Sequence, residues 1–585
     1  MMNRNAALPE LKSSMGASDR GSIDRPKFPW HPAALFAVVA GAVLFFALGT
    51  FRTFTSHEAY AVVPARKMIA TGNWIVPDFG GMPRLRKPPL CYWTLAIVGT
   101  VFGELNEATA RIPSALSGLL LSVLMGVWAN RRYGRIAGWT AAFVQLTAVY
   151  LLTYARKAEV DMLLWLLIAS ALYLIANQPD EEPERRNRLR WLAISALIGA
   201  SWLAKFHYGP VMIVAPAVVY FLVQNRRWEI AKFFDPLGVI LIGAAVLVWP
   251  SLVLRDVPTA IPIWYGETIG RAAGHKGSNG PWYYLPVILI SFLPWTPFAL
   301  AGMRRSWRRA WRKGDPHERF LWVWFCTHLL ICTVQPNKHA HYIYSAFPVL
   351  TLLAARTISE IVRRAQDGRA IVGRRWAIAG SVACVVAFGV AAAIASHRWP
   401  EIGVSILAVC LIVGLGVPAA LWFATHRRHR GFVLAAVGAF LGAFVVVHGW
   451  IMPRLDHRRA AVLFAYEVRD AVGPQTTVYT YGIGQHPVAY YLDDPERRIE
   501  SCDGLNAILE TTDRVYVLTL GWRRPRLDRV PHQRIVQTMP TPPGVAAPRH
   551  PPLILLEIRS PNAIARGTAK PQLAGNRRAG RRRQH

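Results

Sequence analysis

Long apolar runs separated by short polar connectors make up most of the chain. Each run is about 20 residues long, which is enough to cross a hydrocarbon core of about 30 Å as an α-helix. The pattern therefore predicts an all-α polytopic membrane protein. Fourteen runs lie near residues 33–51, 88–103, 111–130, 135–154, 161–177, 190–205, 208–225, 236–254, 283–303, 319–335, 340–358, 376–396, 401–424 and 431–451.

Clusters of Arg and Lys between the runs predict their orientation, because cytoplasmic connectors of membrane proteins are enriched in these residues. With a cytoplasmic N-terminus, all the clusters are cytoplasmic only if the run 88–103 does not cross. This run is the shortest and begins with Pro88-Pro89, so we expect a re-entrant or juxtamembrane helix and about thirteen transmembrane helices. The clusters lie at residues 131–135, 178–190, 225–232, 304–313, 363–375 and 427–430.

The chain changes sides at each crossing, so the same count of crossings places four polar segments and the whole chain after Met452 on the outer, extracytoplasmic face. The four segments are 52–110, 155–160, 255–282 and 336–339. After Pro453, helical and strand patterns alternate over about 105 residues, which predicts a small α/β domain. The expected organisation is a disordered cytoplasmic tail (1–30), a transmembrane domain (31–452), an outer α/β domain (453–560) and a basic disordered tail (561–585).

Composition changes this picture little. The 67 Lys and Arg against 34 Asp and Glu give a net charge of +33, which could indicate nucleic-acid binding. The basic residues instead lie in short clusters between apolar runs, so we expect a bilayer and no nucleic acid as the partner. The six cysteines show no metal-ligand spacing and are interpreted as ordinary buried thiols.

The first outer segment is unusually rich in charged and aromatic residues. His57, Glu58, Tyr60 and Arg66 lie on one helical stretch, which Pro64 could break. Glu58 has two interpretations. It could be a base or an orienting group for an acceptor hydroxyl, or an acidic residue in the first turn of a surface helix, where the helix dipole favours it.

Lys87 directly precedes Pro88-Pro89. A lysine at the mouth of a re-entrant helix could be a snorkelling anchor in the headgroup layer, or a cation placed to bind a phosphate. The rigid proline pair fixes its position, which favours the phosphate-binding interpretation.

The other outer segments supply further candidates. Asp161 opens an apolar run and would be a natural N-cap, but Arg156, Lys157 and Glu159 precede it closely. The spacing of Glu267 and Arg271 is typical of a local salt bridge. The last segment contributes Lys338, His341 and Tyr342; its histidines lack a spaced third ligand, so no metal site is expected.

Taken together, these motifs resemble the GT-C membrane glycosyltransferases, and the chain is most similar to the ArnT-like family. That family comprises aminoarabinose transferases acting on lipid A and is related to protein O-mannosyltransferases. The resemblance covers about residues 33–360. It rests on His57-Glu58-Ala59-Tyr60, Arg66-Lys67-Met68, Thr71-Gly72-Asn73-Trp74, Lys87-Pro88-Pro89-Leu90, Ala110-Arg111-Ile112-Pro113, the stretch 156–161, Lys205 with Gly209-Pro210, Pro281-Trp282-Tyr283-Tyr284, and Lys338-His339-Ala340-His341-Tyr342.

The resemblance implies transfer of a sugar from a polyprenyl-phosphate donor to a lipid A-like glycolipid, a glycan or a protein, on the outer face of a bacterial inner membrane and without a cofactor. Lys87, then Arg271 and Lys338, would bind the leaving phosphate. Asp161 or Glu58 would accept the acceptor's proton. One position departs from the family: His57 stands where the family has an aspartate, which weakens the case for a metal and makes His57 a third catalytic candidate.

Two other functions stay open at this point. A transporter or flippase of a lipid-linked substrate would place ionisable residues or broken helices near the bilayer midplane, often in paired repeats. The polar residues gather instead in the outer segments, and no repeat is evident. A non-catalytic GT-C homologue is the second alternative, and His57 is the residue that favours it.

Overall fold

A computed structural model gives the fold of most of the chain. The residues it describes are 32–49, 53–79, 81–179, 183–270, 279–366, 374–398, 400–455, 459–473, 476–483, 488–492, 498–499, 501–521, 527, 530, 533–539 and 552–561.

The described residues up to 455 are mostly helical. Their α-helices are α1 (Pro32–Phe45), α2 (Ser56–Thr71), α3 (Leu90–Phe102), α4 (Ile112–Tyr133), α5 (Arg135–Thr147), α6 (Val149–Tyr154), α7 (Asp161–Ala176), α8 (Glu184–Lys205), α9 (Tyr208–Val223), α10 (Pro236–Asp256), α11 (Ala260–Tyr265), α12 (Tyr284–Ser291), α13 (Thr296–Arg312), α14 (Pro316–Val334), α15 (Phe347–Gln366), α16 (Arg374–Arg398), α17 (Pro400–Thr425), α18 (His429–Val446) and α19 (Met452–Leu455).

Every predicted apolar run contains helix. Among the described residues, six helices are long and apolar enough to cross a membrane, and a seventh span is possible if one bent pair counts as a single crossing. These features, with the mostly helical content, confirm a polytopic helical membrane protein. The six are Thr109–Tyr133, Pro236–Asp256, Ala340–Arg364, Ala377–Ile394, Ile402–Thr425 and Gly431–Arg454.

Two runs that were expected to be single helices are interrupted. The run 135–154 breaks at Ala148, whose backbone is extended, and the next amide, of Val149, donates to Leu293 O at 3.1 Å. The run 283–303 bends by 115° between α12 and α13. Pro294 lies in this bend and has no N–H to continue a helical ladder. Helix α13 then continues through the basic cluster to Arg312.

The first outer segment folds as a helical platform. Helix α2 passes through Pro64 without a break, so the interruption that this proline could have caused does not occur. A capping box starts it: Thr55 N donates to Glu58 Oε2 (2.8 Å) and Glu58 N donates to Thr55 Oγ1 (3.1 Å). A two-residue hairpin, β1 (Asp78–Phe79) and β2 (Met82–Pro83), separates α2 from α3. Helix α3 has 13 residues, about 20 Å, which is shorter than a bilayer core.

Three indole N–H groups fix the segment between α2 and α3. Trp93 Nε1 donates to Trp74 O (2.7 Å), Trp249 Nε1 to Ile75 O (2.9 Å) and Trp264 Nε1 to Leu85 O (3.0 Å). Trp249 and Trp264 lie on α10 and α11, so the platform is held against the membrane domain from two sides. Lys87, two residues after Leu85, therefore has a fixed backbone position.

The described residues after 455 form a five-stranded sheet of order β4-β3-β5-β7-β6, in which β3 pairs in parallel with β4 and β5 and the other pairs are antiparallel. Their elements are α20 (Arg459–Val472), β3 (Val478–Tyr481), α21 (Val488–Tyr491), β4 (Arg498–Ile499), α22 (Cys502–Thr511), β5 (Arg514–Leu520), β6 (Gln533–Thr538) and β7 (Leu553–Arg559).

Two tyrosines dock this sheet unit onto the platform. Tyr490 Oη donates to Leu105 O (2.7 Å), and Tyr491 Oη donates to the Glu107 carboxylate (2.6 Å) and accepts from Phe54 N (3.1 Å). The C-terminal unit therefore contacts the same face of the membrane domain as the platform. We call this face the site face.

Candidate functional site

An ion pair between Asp161 and Lys205 lies at the centre of the site face. Asp161 is the first residue of α7 and Lys205 the last of α8, and their side chains are 2.8 Å apart. The Lys205 ammonium also lies over the rings of Tyr208 (5.2 Å) and Tyr342 (5.0 Å). The pair joins two membrane helices to the last outer segment, and it holds a buried carboxylate in a fixed orientation.

Lys87 is a cation of the site that has no counterion among the described residues. Its side chain is partly buried and makes no hydrogen bond or ion pair with any residue that the structure describes. Its charge acts on His57, Glu159 and Asp161. A partly buried ammonium among groups that do not bind it directly is suited to an anionic ligand.

His57 is exposed on the first turn of α2, with its ring 5.9 Å from that of Tyr60. Partial burial lowers the pKa of His57 below its usual 6.5, and the charges of Lys87 and Lys157 act in the same direction. The imidazole is therefore neutral at pH 7 and can accept a proton.

Glu58 is placed differently from the other candidates, because it is fully buried. Its Oε1 accepts from Arg111 Nε (2.8 Å) and Ala158 N (3.1 Å), and its Oε2 accepts from Thr55 N (2.8 Å). Burial acts to raise the pKa of Glu58, but Arg111 and these hydrogen bonds outweigh it, so the pKa is lowered. The carboxylate links α2, the start of α4 and the 155–160 segment.

Arg111 extends this link to the end of α1. Its Nη1 donates to Leu48 O (2.6 Å) and its Nη2 to Thr53 O (3.4 Å). Arg156 acts in the same way on Val43 O (2.8 Å) and Phe46 O (2.7 Å). Two buried guanidinium groups thus bind carbonyl groups at the end of α1 and in the connector that follows it.

Glu159 lies beside the ion pair, 4.0 Å from Lys157 Nζ. Burial raises the pKa of Glu159, and the nearby Asp161 charge adds to the effect, while Lys157 opposes it. Lys157 Nζ also lies 4.4 Å from the centre of the Tyr154 ring. Glu159 is thus a carboxyl with an increased affinity for a proton, close to the site.

The last outer segment closes the site from the other side. The rings of His339 and His341 are stacked 5.6 Å apart, and the ring of Tyr342 lies 4.6 Å from that of His341. Lys338, expected to bind phosphate, is buried and donates to Asn279 O at 3.0 Å. Its ammonium therefore holds two outer segments together in this structure.

The remaining candidates lie at the edge. Tyr60 carries the Arg84 guanidinium over its ring at 4.1 Å. Arg66 lies over the Tyr490 ring of the C-terminal unit, at 4.9 Å. Glu267 is 3.7 Å from Arg86. Arg271, expected to pair with Glu267 or to bind phosphate, lies outside the described residues.

Lys205, Arg111 and Arg84 are site residues for which no role was predicted from the sequence. Lys205 ends one apolar run and Arg111 begins another, and an ionisable residue at the end of a membrane helix is a functional candidate by itself. That rule would have selected both residues. Arg84 is different: its Nε and Nη1 are buried without a hydrogen-bond partner, which only the fold reveals. Within the described residues, no group of three His, Cys, Asp or Glu could hold a metal ion.

Replacing Asp161 by Asn is expected to lower the kcat of the sugar transfer that the resemblance implies by about 10²-fold or more. The reason is that the Lys205 ammonium would then lie beside the reacting groups without its counterion. Lys205→Met should have an effect of similar size, and the double variant should be no worse than either single variant, as expected of groups that act as a unit. Kinetics of the three variants in one membrane preparation would measure this. If the losses in kcat of the two single variants added up in the double variant, Asp161 and Lys205 would not act as a unit.

The helical membrane domain, the platform on one face and the polar site beneath it define a multi-pass helical membrane protein with a polar site on one face. The family model "Dolichyl-phosphate-mannose-protein mannosyltransferase" matches residues 86–253. The predicted resemblance to ArnT-like glycosyltransferases is confirmed by the relatives and solved structures that the chain matches.

Two curated relatives carry the name undecaprenyl phosphate-alpha-4-amino-4-deoxy-L-arabinose arabinosyl transferase. The protein from Aeromonas salmonicida is 28% identical over 375 residues, which are 62% of this chain and 66% of the relative. Transferase 2 from Sodalis glossinidius is 29% identical over 300 residues, 50% of this chain and 53% of the relative. The matched part thus spans about half to two thirds of these relatives.

A solved structure matches over a longer stretch. ArnT from Cupriavidus metallidurans bound to undecaprenyl phosphate superposes with a TM-score of 0.74 at 20% identity, covering 90% of this chain and 97% of that one. Its apo structure gives 0.73 at 19% identity, with 92% and 99% covered. At this identity the match shows a shared fold.

Proposed function

We propose that the protein is an integral-membrane glycosyltransferase that moves a sugar from a polyprenyl-phosphate donor to an acceptor on the extracytoplasmic face of the bacterial inner membrane. The names of the relatives make undecaprenyl phosphate-linked 4-amino-4-deoxy-L-arabinose the first donor to test. A lipid A-like glycolipid is the first acceptor to test, and a glycan or a protein is the alternative.

The observation that carries this proposal is the ammonium of Lys87, which is unpaired among the described residues and is held by the platform beside the Asp161–Lys205 pair at the ends of two membrane helices. In the reaction, the bond between the sugar's anomeric carbon and the phosphate oxygen breaks, and the phosphate keeps the electron pair. Negative charge therefore develops on that oxygen, and a fixed cation stabilises it most in the transition state. Lys87 is the residue we assign to this role.

The acceptor hydroxyl bonds to the anomeric carbon and must lose its proton. His57 is neutral at pH 7 and exposed, so it can receive that proton directly; Asp161 is the alternative and is already bound by Lys205. Glu58 has its carboxylate engaged by three donors, so we assign it a positioning role. Lys338 and Arg271 stay candidates for the phosphate. The other site candidates, Tyr60, Arg66, Glu159, Glu267, His341 and Tyr342, stay predictions.

The test is incubation of the purified full chain in lipid nanodiscs with the aminoarabinose donor and lipid A, followed by lipid mass spectrometry. Release of undecaprenyl phosphate together with a heavier lipid A is the expected result. Movement of intact donor across proteoliposomes without cleavage would identify a transporter instead. Neither activity, with any of several polyprenyl-phosphate sugars, would favour a non-catalytic homologue.

The pH dependence tests the assignment of His57. His57 must be deprotonated to act as a base, and its lowered pKa keeps it deprotonated at pH 7. The value of kcat/KM should therefore rise with pH through an apparent pKa below 6.5 and then stay level. His57→Gln should lower the plateau about 10²-fold and remove this acid limb. His57→Asp should move the limb to lower pH. His426→Gln changes an exposed histidine between α17 and α18 and is the control, so it should keep the wild-type pH profile. If His57→Gln also kept that profile, the acceptor's proton would be received by another group.

We also propose the finer topology: about thirteen transmembrane helices, with the transmembrane domain spanning residues 31–452 and the 453–560 unit outside. The tails before residue 32 and after residue 561 lie outside the described residues. In a cysteine-free background, Ser56→Cys should react with a membrane-impermeant maleimide in intact spheroplasts, and Arg312→Cys, at the exposed end of α13, should react only after lysis. Labelling of both from the same side would overturn this topology.

A further inference from the structure

A basic pocket lies at the opposite end of the membrane domain from the candidate site. Helix α4 begins beside Arg111 on the site face and has 22 residues, so its far end is about 33 Å away. There the loop after α13 and the start of α14 enclose an open pocket of about 470 Å³. Its lining residues are Arg132, Arg309, Lys313, Gly314, Asp315 and Pro316. We propose that this pocket binds the phosphate headgroup of an anionic phospholipid from the adjoining leaflet.

Three basic side chains and one acidic side chain line the pocket, and only two of the basic ones are available to bind a ligand. Arg132 Nη2 is bound by both oxygens of Asp315, at 2.6 and 2.7 Å, so these two charges compensate each other. The side chains of Arg309 and Lys313 make no hydrogen bond or ion pair with the residues that the structure describes. Two exposed cations, four positions apart, are therefore available to one anionic group.

The local backbone keeps these cations near the pocket. Lys313 follows the last residue of α13, and Gly314 turns the chain with a φ of +69°, a conformation that favours glycine. Asp315 then caps α14, accepting from His317 N at 3.1 Å. The tight turn places Lys313 beside the start of α14, while Arg309 approaches from one turn earlier in α13.

The surroundings favour a membrane lipid over a soluble anion. Trp307 and Trp311 lie one turn apart on α13, are 50% and 41% exposed, and have their ring centres 5.6 Å apart. Exposed tryptophans on a membrane helix are typical of the headgroup layer. The end of α13 therefore lies at the depth of the lipid phosphates, where basic pockets between membrane helices bind anionic headgroups.

Other arginines of α13 provide a matched control. Arg305 is bound to Glu360 at 2.5 Å, so it is already neutralised. Arg304 and Arg308 are exposed on the same helix and do not line the pocket. A double change at Arg304 and Arg308 removes the same charge from the same helix without touching the pocket.

The test measures retention of phosphatidylglycerol by the purified full chain, by native mass spectrometry over a titration of added lipid. Arg309→Gln with Lys313→Gln should weaken retention about 30-fold, from about fivefold for each basic residue near the surface. Arg304→Gln with Arg308→Gln should stay close to wild type. Phosphatidylcholine should be retained far less by the wild-type protein.

Three outcomes would overturn the proposal. Equal losses in the two double variants would mean that general positive charge attracts the lipid. Equal retention of phosphatidylcholine would remove the requirement for an anionic headgroup. Displacement of phosphatidylglycerol by millimolar inorganic phosphate would make the pocket a site for a soluble anion.

Discussion

Lys87→Ala should lower kcat for sugar transfer by about 10² to 10³-fold, the cost typical of removing one group that stabilises developing negative charge. The reason is local: Lys87 has no partner among the described residues, so its charge is available to the donor phosphate. Lys87→Arg keeps the charge but changes the geometry of its donors, and it should recover part of the activity. The measurement is initial rates with purified protein in nanodiscs.

Lys67→Ala is the matched control for this result. Lys67 lies in the same outer segment and forms an ion pair with Asp78 at 3.2 Å, so its charge is already compensated and its loss should leave kcat almost unchanged.

The separate effects of Lys87→Ala on kcat and on KM are also informative. A fall in kcat with little change in KM would mean that Lys87 acts mainly in the transition state, whereas a rise in KM alone would mean ground-state binding of the phosphate. Normal transfer by Lys87→Ala would remove the phosphate assignment.

The helical architecture could be predicted from the sequence because hydrocarbon length is a strong constraint on apolar runs. The bend in the run 283–303 coincides with Pro294, a local signal that run length alone overlooks. The break at Ala148 could not be predicted, since it depends on a contact with a distant part of the chain. The Val149 amide, for example, donates to Leu293 O, which lies in that bend. Such a pairing leaves no trace in hydrophobic periodicity.

The site could be predicted only in part, for a related reason. Spacing placed His57, Glu58 and Lys87 on one outer segment, but it could not say which of them is engaged by another group. Glu58 is bound by Arg111, 53 positions away, and Asp161 by Lys205, 44 positions away. Whether a charge is compensated decides between a structural and a chemical role, and compensation across such distances is a property of the fold.

Glu58→Gln should destabilise the protein by on the order of 3–5 kcal/mol, because it leaves the buried Arg111 guanidinium without a counterion. Thermal unfolding of the detergent-purified protein would show this as a lower midpoint at pH 7. Glu58→Met with Arg111→Met replaces both charges by apolar groups and should recover part of the loss. The recovery should be incomplete, because Arg111 also binds Leu48 O.

The pH dependence of this stability has a definite sign. The pKa of Glu58 is lowered in the folded protein, so its contribution is present above its ordinary value of 4.5 and is lost as pH falls from there through the lower folded value. The unfolding midpoint of the wild type should therefore fall with acidification below pH 4.5 more steeply than that of Glu58→Gln. If Glu58 instead took part in proton transfer, the folded fraction of Glu58→Gln would be inactive, with the acid limb of kcat/KM gone. The other outcome is that Glu58→Gln is destabilised while its folded fraction keeps the acid limb of kcat/KM that we assign to His57. That outcome would establish Glu58 as the residue that positions α2, and with it the platform that carries Lys87.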